Sequence, residues 1–386
     1  MQEDPVVLSL ARSGVKIRDV SINEGQMAES YFNYNPVLAG DLLINPMDLY
    51  SGANCNLSEV DGVISPAYIN LRSHEGNNAK YFDYYFKIQY WLMAFFAHGK
   101  GVSQDNRWVL NSETLMAYPI IVPPKPEQDA IVSYLGLETN AIEALIADLE
   151  RQIERLNDLR REIIANAVTK GIANSEMRSS GVDWIGDTPI SWKVTKIKFM
   201  FEIVKRIYRK DDRNVLSITQ RGLKIKDVNI NDGQMAESYT NYQLVNVNDF
   251  AMNSMDLLTG WVDCSPFEGV TSPDYRVFRF IPGKTQCHSY YKYLFQMCYK
   301  NRIFYRLGQG VSNLGRWRLQ ADQFLNMKLP QPPIQEQEEI AAYLDRKTAQ
   351  VDSLIVDINA QIGKLKQYRQ IVIHDAVTGK IKVSEG

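Results

Sequence analysis

The sequence predicts an α+β protein in which two pseudo-symmetric mixed α/β domains are separated by two long antiparallel coiled-coil helices. Three observations lead to this prediction. The chain repeats itself at an offset of about 208 residues, the first part of each repeat has a strand-like composition, and the second part carries apolar residues seven apart. At 386 residues the chain is too long for one ordinary domain. Its 45% hydrophobic and 23% charged residues are typical of a core-forming protein.

The repeat is visible in several motifs that keep one register. The heptapeptide GQMAESY begins at Gly25 and again at Gly233. Further motifs recur at the same offset or one residue away: Met47-Asp48-Leu49 and Met255-Asp256-Leu257, Gly99-x-Gly101 and Gly308-x-Gly310, Arg107-Trp108 and Arg316-Trp317. A register held over some 165 residues indicates a duplicated unit.

The mixed domains come first in each repeat. Their Val, Ile, Tyr and Phe content, punctuated by Gly and Asn, predicts short strands with loops and some helix. The predicted organisation is a first domain at 1–126, a helix at 127–170, a linker at 171–182, a second domain at 183–335, a helix at 336–376 and a tail at 377–386. The first repeat lacks about 28 residues that open the second, within 181–215. A truncated sequence, an internal start and a real deletion are all open.

Two helices are predicted after the proline pairs that begin at Pro123 and Pro332. Proline followed by acidic residues suits a helix N-terminus, because the missing N–H costs nothing there. Pseudo-two-fold symmetry makes the two helices antiparallel partners. Gln152 and Gln361 share one heptad position, either as polar seam residues that fix register or at a wet edge. The predicted seam consists of Ile142, Leu145, Leu149, Leu156, Leu159 and Ile163 with Val351, Leu354, Ile358, Leu365, Tyr368 and Val372.

Charge is unevenly distributed behind a net charge of −2. Residues 193–226 and 276–318 are rich in Lys and Arg, whereas the helix at 127–165 is acidic. Basic segments suit a phosphate backbone, although a solvated face compensated by its neighbours is the alternative. The aromatic residues within 276–318 are expected to be mostly core. The four cysteines lack paired spacing, and no apolar run approaches the roughly 20 residues of a membrane span. A cytoplasmic protein without membrane contact is expected.

Catalytic and cofactor motifs are not found. Asn45-Pro46-Met47-Asp48 is only faintly similar to the Asn-Pro-Pro-aromatic motif of adenine methyltransferases, and its repeat partner loses the first proline. No glycine-rich strand–turn–helix accompanies it, and the four histidines show no metal-like spacing. The chain is therefore expected to be no enzyme, with no cofactor and no metal site of its own.

The motifs resemble the specificity subunit of a Type I restriction–modification enzyme. The stretch from Trp184 to Trp192, WIGDTPISW, is similar to the opening of a target recognition domain. The proline-led entries at 332–345 and 123–135 resemble the start of the family's spacer helices. The endings DAVTGK at Asp375 and AVTKG at Ala167 resemble the helix-end signature. The missing opening of the first domain departs from the family pattern.

This resemblance implies a non-catalytic reader of double-stranded DNA. Each recognition domain would read one half of a bipartite site, and the helices would set the gap and dock two modification subunits. Those subunits would bind S-adenosylmethionine and methylate adenine, and restriction subunits would join the full complex. Because the two domains are themselves similar, the site is expected to be near-palindromic. The alternatives are a coiled-coil protein-interaction adaptor without DNA specificity and a self-sufficient methyltransferase.

Candidate DNA contacts are polar residues of the shared loops. Arg107 and Arg316 have a second interpretation, since each could stack on the adjacent tryptophan. Gln26 and Gln234 could equally maintain a turn. The candidates are Lys16, Gln26, Ser30, Lys100, Ser103 and Arg107 in the first domain, and Arg221, Lys224, Gln234, Ser238, Gln309, Ser312, Asn313 and Arg316 in the second.

Overall fold

A computed structural model describes residues 5–11, 14–19, 30–47, 49, 55–101, 108–226, 238–310 and 317–383. The chain divides into two compact units: unit 1 is Met1–Arg151 with Ile358–Gly386, and unit 2 is Gln152–Asp357. The division falls inside both long helices. Each unit therefore contains one mixed domain, the first part of one long helix and the last part of the other. The predicted α+β architecture is confirmed.

The strands of unit 1 form small antiparallel sheets. A hairpin joins β1 to β2, β3 pairs with β6, and a three-stranded sheet has the order β5-β4-β7. Their bounds are β1 (Leu8–Ala11), β2 (Gly14–Ile17), β3 (Asn35–Val37), β4 (Leu42–Ile44), β5 (Cys55–Leu57), β6 (Gly62–Ile64) and β7 (Ile69–Leu71).

The helices of unit 1 cover the three-stranded sheet. Aromatic side chains of the first helix pack in one core with Leu42 of β4 and with Ile131 and Leu135 of the first long helix. The helix is capped by Asn78, whose Oδ1 accepts a hydrogen bond from the Lys80 amide at 2.9 Å. The helices are α1 (Ala79–Trp91), α2 (Ala94–Ala97), α3 (Ser112–Met116) and α4 (Lys125–Lys170).

Unit 2 repeats these pairings and adds strands before them. Its hairpin is β12–β13, β14 pairs with β17, and the central sheet has four strands in the order β11-β18-β15-β16. The strands are β8 (Met177–Ser179), β9 (Asp187–Pro189), β10 (Lys193–Lys196), β11 (Phe201–Val204), β12 (Leu216–Thr219), β13 (Gly222–Ile225), β14 (Gln243–Val245), β15 (Phe250–Met252), β16 (Val262–Cys264), β17 (Gly269–Thr271), β18 (Arg276–Phe280) and β19 (Lys328–Gln331).

The helices of unit 2 follow the same plan as those of unit 1. Phe250, Phe278 and Phe295 are fully buried between the sheet and the first helix. Eight of the ten aromatic residues within 276–318 are buried, so the expectation that most of them are core is confirmed. The helices are α5 (His288–Lys300), α6 (Ile303–Leu307), α7 (Ala321–Asn326) and α8 (Ile334–Val377). Both long helices begin two residues earlier than predicted.

Each mixed domain is held to the long helices by two side chains, and the two sets are repeat equivalents. The first is a buried glutamine. In unit 1, buried Gln128 accepts the Asn78 amide at 2.7 Å and donates to the carbonyl of Pro123 at 2.8 Å. In unit 2, buried Gln337 accepts the Cys287 amide at 3.0 Å and donates to the carbonyl of Pro332 at 2.9 Å.

A tyrosine hydroxyl makes the second fastening. Tyr81 donates to the carbonyl of Val377 at 3.1 Å, and Tyr290 donates to that of Val168 at 2.9 Å. Donors and acceptors are both related by the repeat offset. These contacts satisfy buried polar groups that would otherwise be costly.

The long helices run antiparallel within each unit. In unit 2, Arg160 pairs with Asp352 at 3.1 Å. In unit 1, Arg369 pairs with Glu143. Adding 209 to Arg160 and Glu143 gives Arg369 and Asp352, so the two ion pairs are repeat equivalents, as the predicted pseudo-symmetry requires.

One of the two rows of the predicted seam, four of its twelve residues, is wrong. The row through Ile142, Val351, Ile358 and Val372 is buried, and Leu149, Leu156, Ile163 and Leu365 are half-buried. The companion row three residues on is exposed: Leu145, Leu159, Leu354 and Tyr368 are 55, 46, 50 and 52% accessible.

The inward row lies four residues on instead, where Ile146 and Ile362 are buried. Arg160 and Arg369 occupy the same row and reach acids of the opposite helix. Because an arginine interrupts this row in each helix, the sequence does not show it as an apolar row. Gln152 and Gln361 are exposed rather than in the seam.

Helix α4 is long and apolar enough to cross a membrane by length and composition alone, with a mean hydropathy of 1.3 over 18 residues. A single helix of this kind is weak support for a span. Its apolar residues Ile131, Leu135, Ile142 and Ile146 are buried within unit 1. Burial within the described structure accounts for 22% of this 18-residue window.

Candidate nucleic-acid interface

A tryptophan fixes the base of one shared loop in each domain. The indole Nε1 of Trp108 donates to the carbonyl of Phe96 at 2.8 Å, and that of Trp317 donates to Tyr305 at 2.7 Å. Each carbonyl belongs to the short helix that precedes the loop. The Arg-Trp motif thus serves the fold through its tryptophan.

The first glycine of the Gly-x-Gly motif makes room for this indole. A Cβ placed on Gly99 would lie 2.4 Å from Nε1 of Trp108, and one on Gly308 would lie 2.5 Å from Nε1 of Trp317. Non-bonded contacts of a Cβ atom are essentially never shorter than 3.0 Å, so no side chain fits here. The first glycine of the motif is therefore explained by the protein's own indole.

The two ends of each loop are joined by a backbone bridge. Lys100 and Val109 exchange two hydrogen bonds of 2.9 Å, and Gln309 and Arg318 exchange bonds of 2.8 and 3.0 Å. The side chains of Lys100, Gln309 and Arg318 are exposed. The predicted contacts between these ends, Ser103, Arg107, Ser312, Asn313 and Arg316, lie outside the described residues.

The hairpins present the next group of predicted contacts. Lys16 on β2 and its equivalent Lys224 on β13 are exposed, as is Arg221 at the hairpin turn. In unit 2 this turn contacts the loop that follows the shared Met255-Asp256-Leu257 motif. Gln220 Nε2 donates a hydrogen bond to the carbonyl of Thr259 at 3.3 Å. The preceding Asp256 accepts the amides of Leu258 and Thr259.

Ser30 and Ser238 have a structural role. Ser30 Oγ accepts the Phe32 amide at 3.2 Å, and Ser238 Oγ accepts the Thr240 amide at 3.2 Å. Both hydroxyls therefore stabilise a turn, and Ser238 also donates to Asp211 at 3.2 Å. Gln26 and Gln234, which precede these turns in the shared heptapeptide, lie outside the described residues.

Arg276 carries no sequence pattern that marks it as a candidate contact. Its Nη2 donates to the carbonyl of Leu319 at 2.7 Å, and its guanidinium lies 5.0 Å from the ring centroid of Phe324. Nη1 is buried and has no hydrogen-bond partner among the described residues. Burial lowers the pKa of this guanidinium to about 10, so it stays charged at neutral pH. The register of β18 against β15 makes Ile69 its counterpart, so only unit 2 has this cation.

Exposed basic residues also flank the turn at Ser238. The amide of Arg209 donates to the carbonyl of Thr240 at 3.1 Å, which places exposed Arg209 and Lys210 beside that turn. In unit 1 the residue equivalent to Thr240 is Phe32, which is 90% exposed. An exposed aromatic ring can stack on a base. Arg209 and Lys210 lie in the basic segment 193–226, which the sequence already indicated. Phe32 has no sequence feature that distinguishes it from the core aromatic residues.

The two domains differ strongly in charge. Residues 1–126 hold nine Lys or Arg and 13 Asp or Glu, a net charge of −4. Residues 183–335 hold 21 Lys or Arg and 14 Asp or Glu, a net charge of +7. Among the described residues no group of three or more His, Cys, Asp or Glu side chains is arranged to hold a metal ion.

Comparisons with known proteins agree with this arrangement. Residues 189–364 match a family model described as a Type I restriction modification DNA specificity domain. The Type I restriction enzyme MjaVIII specificity subunit of Methanocaldococcus jannaschii is 22% identical over 365 residues, covering 89% of this chain and 81% of that protein. The putative type I restriction enzyme MjaX specificity subunit of the same organism is 24% identical over 287 residues, covering 72% and 63%.

A solved structure shows the same fold. A chain from a study of complex assembly and conformational transition in the type I R-M system has a TM-score of 0.62 and 14% identity, covering 89% of this chain and 83% of that one. Residues 189–364 thus match a Type I restriction modification DNA specificity domain, and the chain is similar over most of its length to Type I restriction enzyme specificity subunits.

Proposed function

We propose that the two mixed domains read the two halves of one bipartite DNA site, with the long helices setting the gap between the halves. As a specificity subunit, the chain is a non-catalytic DNA-recognition protein. The observation that supports the bipartite proposal most is the loop base, which is built twice from the same glycine, tryptophan and backbone bridge. Two short readouts on one scaffold act as linked binding modules and reinforce each other.

The half-sites are proposed to be similar, so that the whole site is near-palindromic. Equivalent hairpins carry Lys16 and Lys224 at the same position, and equivalent bridges carry Lys100 and Gln309. The halves need not be identical, since the half-buried cation Arg276 has only Ile69 as its counterpart.

The second domain is proposed to supply most of the electrostatic affinity. Its net charge is +7, compared with −4 for the first domain. Each phosphate neutralised by Lys or Arg releases counterions and steepens the salt dependence of binding. Phosphate contacts would therefore be concentrated on one half of the site.

The partners are proposed to be two modification subunits docked on the helices, with restriction subunits in the full complex. S-adenosylmethionine and adenine methylation would belong to the modification subunits, and the complex would act in the cytoplasm. Leu145 and its equivalent Leu354 are 55 and 50% exposed on the long helices. Two equivalent apolar positions suit two copies of one partner.

The DNA proposal is tested by measuring binding to the mapped site against salt concentration for Lys224→Ala, Lys16→Ala and the control Lys347→Ala, an exposed residue of α8. A phosphate contact predicts a slope reduced by about one for Lys224→Ala, with Lys347→Ala unchanged. Binding by the parent chain that is independent of salt would instead favour the adaptor without DNA specificity.

The bipartite proposal is tested by methylome sequencing of a host that expresses the chain with its modification partner. Two similar half-sequences on opposite strands are expected, and two unrelated halves would refute the near-palindrome. Arg316→Ala should cost about 1–3 kcal/mol and relax one position if Arg316 reads guanine. An unchanged site profile would assign this arginine to stacking on Trp317.

A further inference from the structure

The hairpin of unit 2 is bound by a carboxylate of the central sheet. Asp263 lies on β16, the edge strand of that sheet. Its Oδ2 accepts a hydrogen bond from the Leu223 amide of β13 at 2.9 Å. Lys224 follows Leu223 directly, Arg221 lies at the turn, and both side chains are exposed. The carboxylate therefore holds the backbone between the two cations that are candidate DNA contacts.

A glycine allows this close approach of hairpin and sheet. Gly222 has a φ of +102°, a conformation that favours glycine. A Cβ placed on it would lie 2.7 Å from Oδ2 of Asp263. The adjacent Leu223 side chain is 6% exposed and packs with Ala251 and Val277 of the central sheet. Backbone and side chain thus attach the hairpin to the sheet at the same point.

The second oxygen of the carboxylate is also occupied. Oδ1 of Asp263 accepts the Cys264 amide at 2.9 Å and Nε2 of Gln296, on α5, at 3.2 Å. The same Nε2 lies 3.3 Å from the carbonyl of Val262, to which it also donates. Both oxygens of Asp263 therefore face N–H donors. A carboxylate satisfies this arrangement, whereas an amide side chain has only one oxygen to offer.

Unit 1 has a different residue at this position. The strand registers make Asn56 on β5 the counterpart of Asp263. Its Nδ2 is buried and has no hydrogen-bond partner among the described residues. A Cβ placed on Gly14, the counterpart of Gly222, would meet no described atom within 4 Å. The carboxylate that holds the hairpin of unit 2 thus has no equivalent in unit 1.

The helix that packs beside this strand differs in the same sense. Position for position, Asp83 and Lys87 of α1 correspond to Lys292 and Gln296 of α5. Asp83 is fully buried and pairs with Lys87 at 2.8 Å. The acid of unit 1 is therefore on the helix, where lysines of that helix satisfy it. The acid of unit 2 is on the edge strand, where the hairpin amide satisfies it.

We propose that Asp263 is a positioning residue for DNA binding by unit 2, because its carboxylate fixes the hairpin so that Lys224 and Arg221 meet phosphates of the DNA backbone. The proposal rests on the proposed contact between this hairpin and DNA. A cation on a fixed backbone loses less conformational freedom on binding than one on a loose backbone. Since phosphate contacts set the register of a protein on the duplex, unit 2 is placed on its half-site more strictly than unit 1.

The first test measures the salt dependence of DNA binding by the full chain for Lys224→Ala, Asp263→Asn and the double variant. Lys224→Ala should reduce the slope by about one. Asp263→Asn should reduce it by at least as much, although it removes a negative charge. The double variant should fall no further than Asp263→Asn, because Lys224 is already misplaced. Asp183→Asn, at an exposed acid of the same unit, removes the same charge and should leave the slope unchanged.

The second test needs no DNA and measures hydrogen exchange in the peptide 216–226. Asp263→Asn should lower the protection of the Leu223 amide by about 10- to 100-fold, as loss of a hydrogen bond to a charged acceptor implies. Gln296→Ala removes only one donor from the carboxylate and should give a smaller loss in the same peptide. Asn56→Ala, the matched change in unit 1, should leave exchange in 8–17 unchanged.

The two tests separate failure of this proposal from failure of the proposed DNA contact. A parent-like slope for Lys224→Ala would contradict the contact itself, and the role of Asp263 with it. A reduced slope for Lys224→Ala that adds to the effect of Asp263→Asn would overturn the positioning role alone. Unchanged exchange at Leu223 in both Asp263→Asn and Gln296→Ala would also overturn it.

Discussion

Units 1 and 2 agree where each domain meets the helices and differ where each domain faces outward. Gln128 and Gln337 make the same hydrogen bonds, and Tyr81 and Tyr290 reach equivalent carbonyls. By contrast, the central sheets have three and four strands, and the domains carry net charges of −4 and +7. The comparison indicates that attachment to the helices is held constant while the outward surfaces vary.

Interior charges also differ between the units. Asp83 on α1 is fully buried and pairs with Lys80 at 2.7 Å and Lys87 at 2.8 Å. The equivalent position on α5 is Lys292, whose charge favours ionisation of Asp263 on the neighbouring strand. Burial nevertheless raises the pKa of Asp263 above its usual value. The buried acid of unit 1 is thus balanced by two lysines of its own helix, whereas unit 2 has a half-buried lysine at the equivalent position.

The largest effect expected from breaking this comparison comes from Phe201→Ala on β11, the strand that makes the central sheet of unit 2 four-stranded. The Phe201 ring centroid lies 4.4 to 5.7 Å from those of Phe250, Phe278, Phe280, Tyr291 and Phe295. Loss of a phenyl ring surrounded by five aromatic residues should lower the free energy of unfolding by about 3–5 kcal/mol. Urea denaturation followed by tryptophan fluorescence measures this. Phe199→Ala, at a neighbour 60% exposed, is the matched control. A cost below about 1 kcal/mol would show that the ring is not essential to this core.

An intermediate effect is expected at the shared glutamines. Gln128→Ala and Gln337→Ala each remove an amide that accepts one backbone N–H and donates to one carbonyl, which leaves buried groups unpaired. Each should cost about 1–3 kcal/mol, and the two costs should be similar. Denaturation of each variant beside Gln361→Ala, an exposed control, checks this. Clearly unequal costs would mean that the two fastenings are not equivalent.

The smallest effect is expected at the helix ion pairs. Arg160 and Asp352 are 38 and 53% exposed at their side chains, so their coupling should be at most about 1 kcal/mol. A double-mutant cycle with alanine measures it, and the equivalent cycle on Arg369 and Glu143 should give a similar value. A coupling well above this in either cycle would assign the pair a dominant role in helix pairing.

The repeat allowed much of the fold to be predicted from sequence, because each motif could be checked against its second copy. The helices, their antiparallel order and the core aromatics followed from proline position, heptad spacing and composition. The companion row of the seam did not, since Leu145 and Ile146 are both apolar and only packing decides which faces inward. Arg160 increased the ambiguity by placing a charge in the inward row.

The candidate site was less predictable than the fold. Spacing found the loops but could not separate residues that support a loop from those on its surface. Trp108 and Ser30 use their polar atoms on backbone groups of their own domain, whereas Lys16 and Lys100 extend outward. Arg276 was overlooked because a lone arginine in a strand carries no pattern. Its significance lies in its buried, unpaired Nη1, which only three-dimensional packing reveals.

The division of the long helices between units has a consequence for synthesis on the ribosome. Unit 2 is one continuous stretch, Gln152–Asp357, whereas unit 1 also requires Ile358–Gly386. The Tyr81 hydroxyl bonds to the carbonyl of Val377, which is translated 296 residues later. Domains generally fold as they emerge, N-terminal first. In this chain the domain of unit 1 is translated first, but its last helical segment is translated only after all of unit 2. The domain of unit 1 is therefore exposed to nascent-chain quality control for longer than that of unit 2.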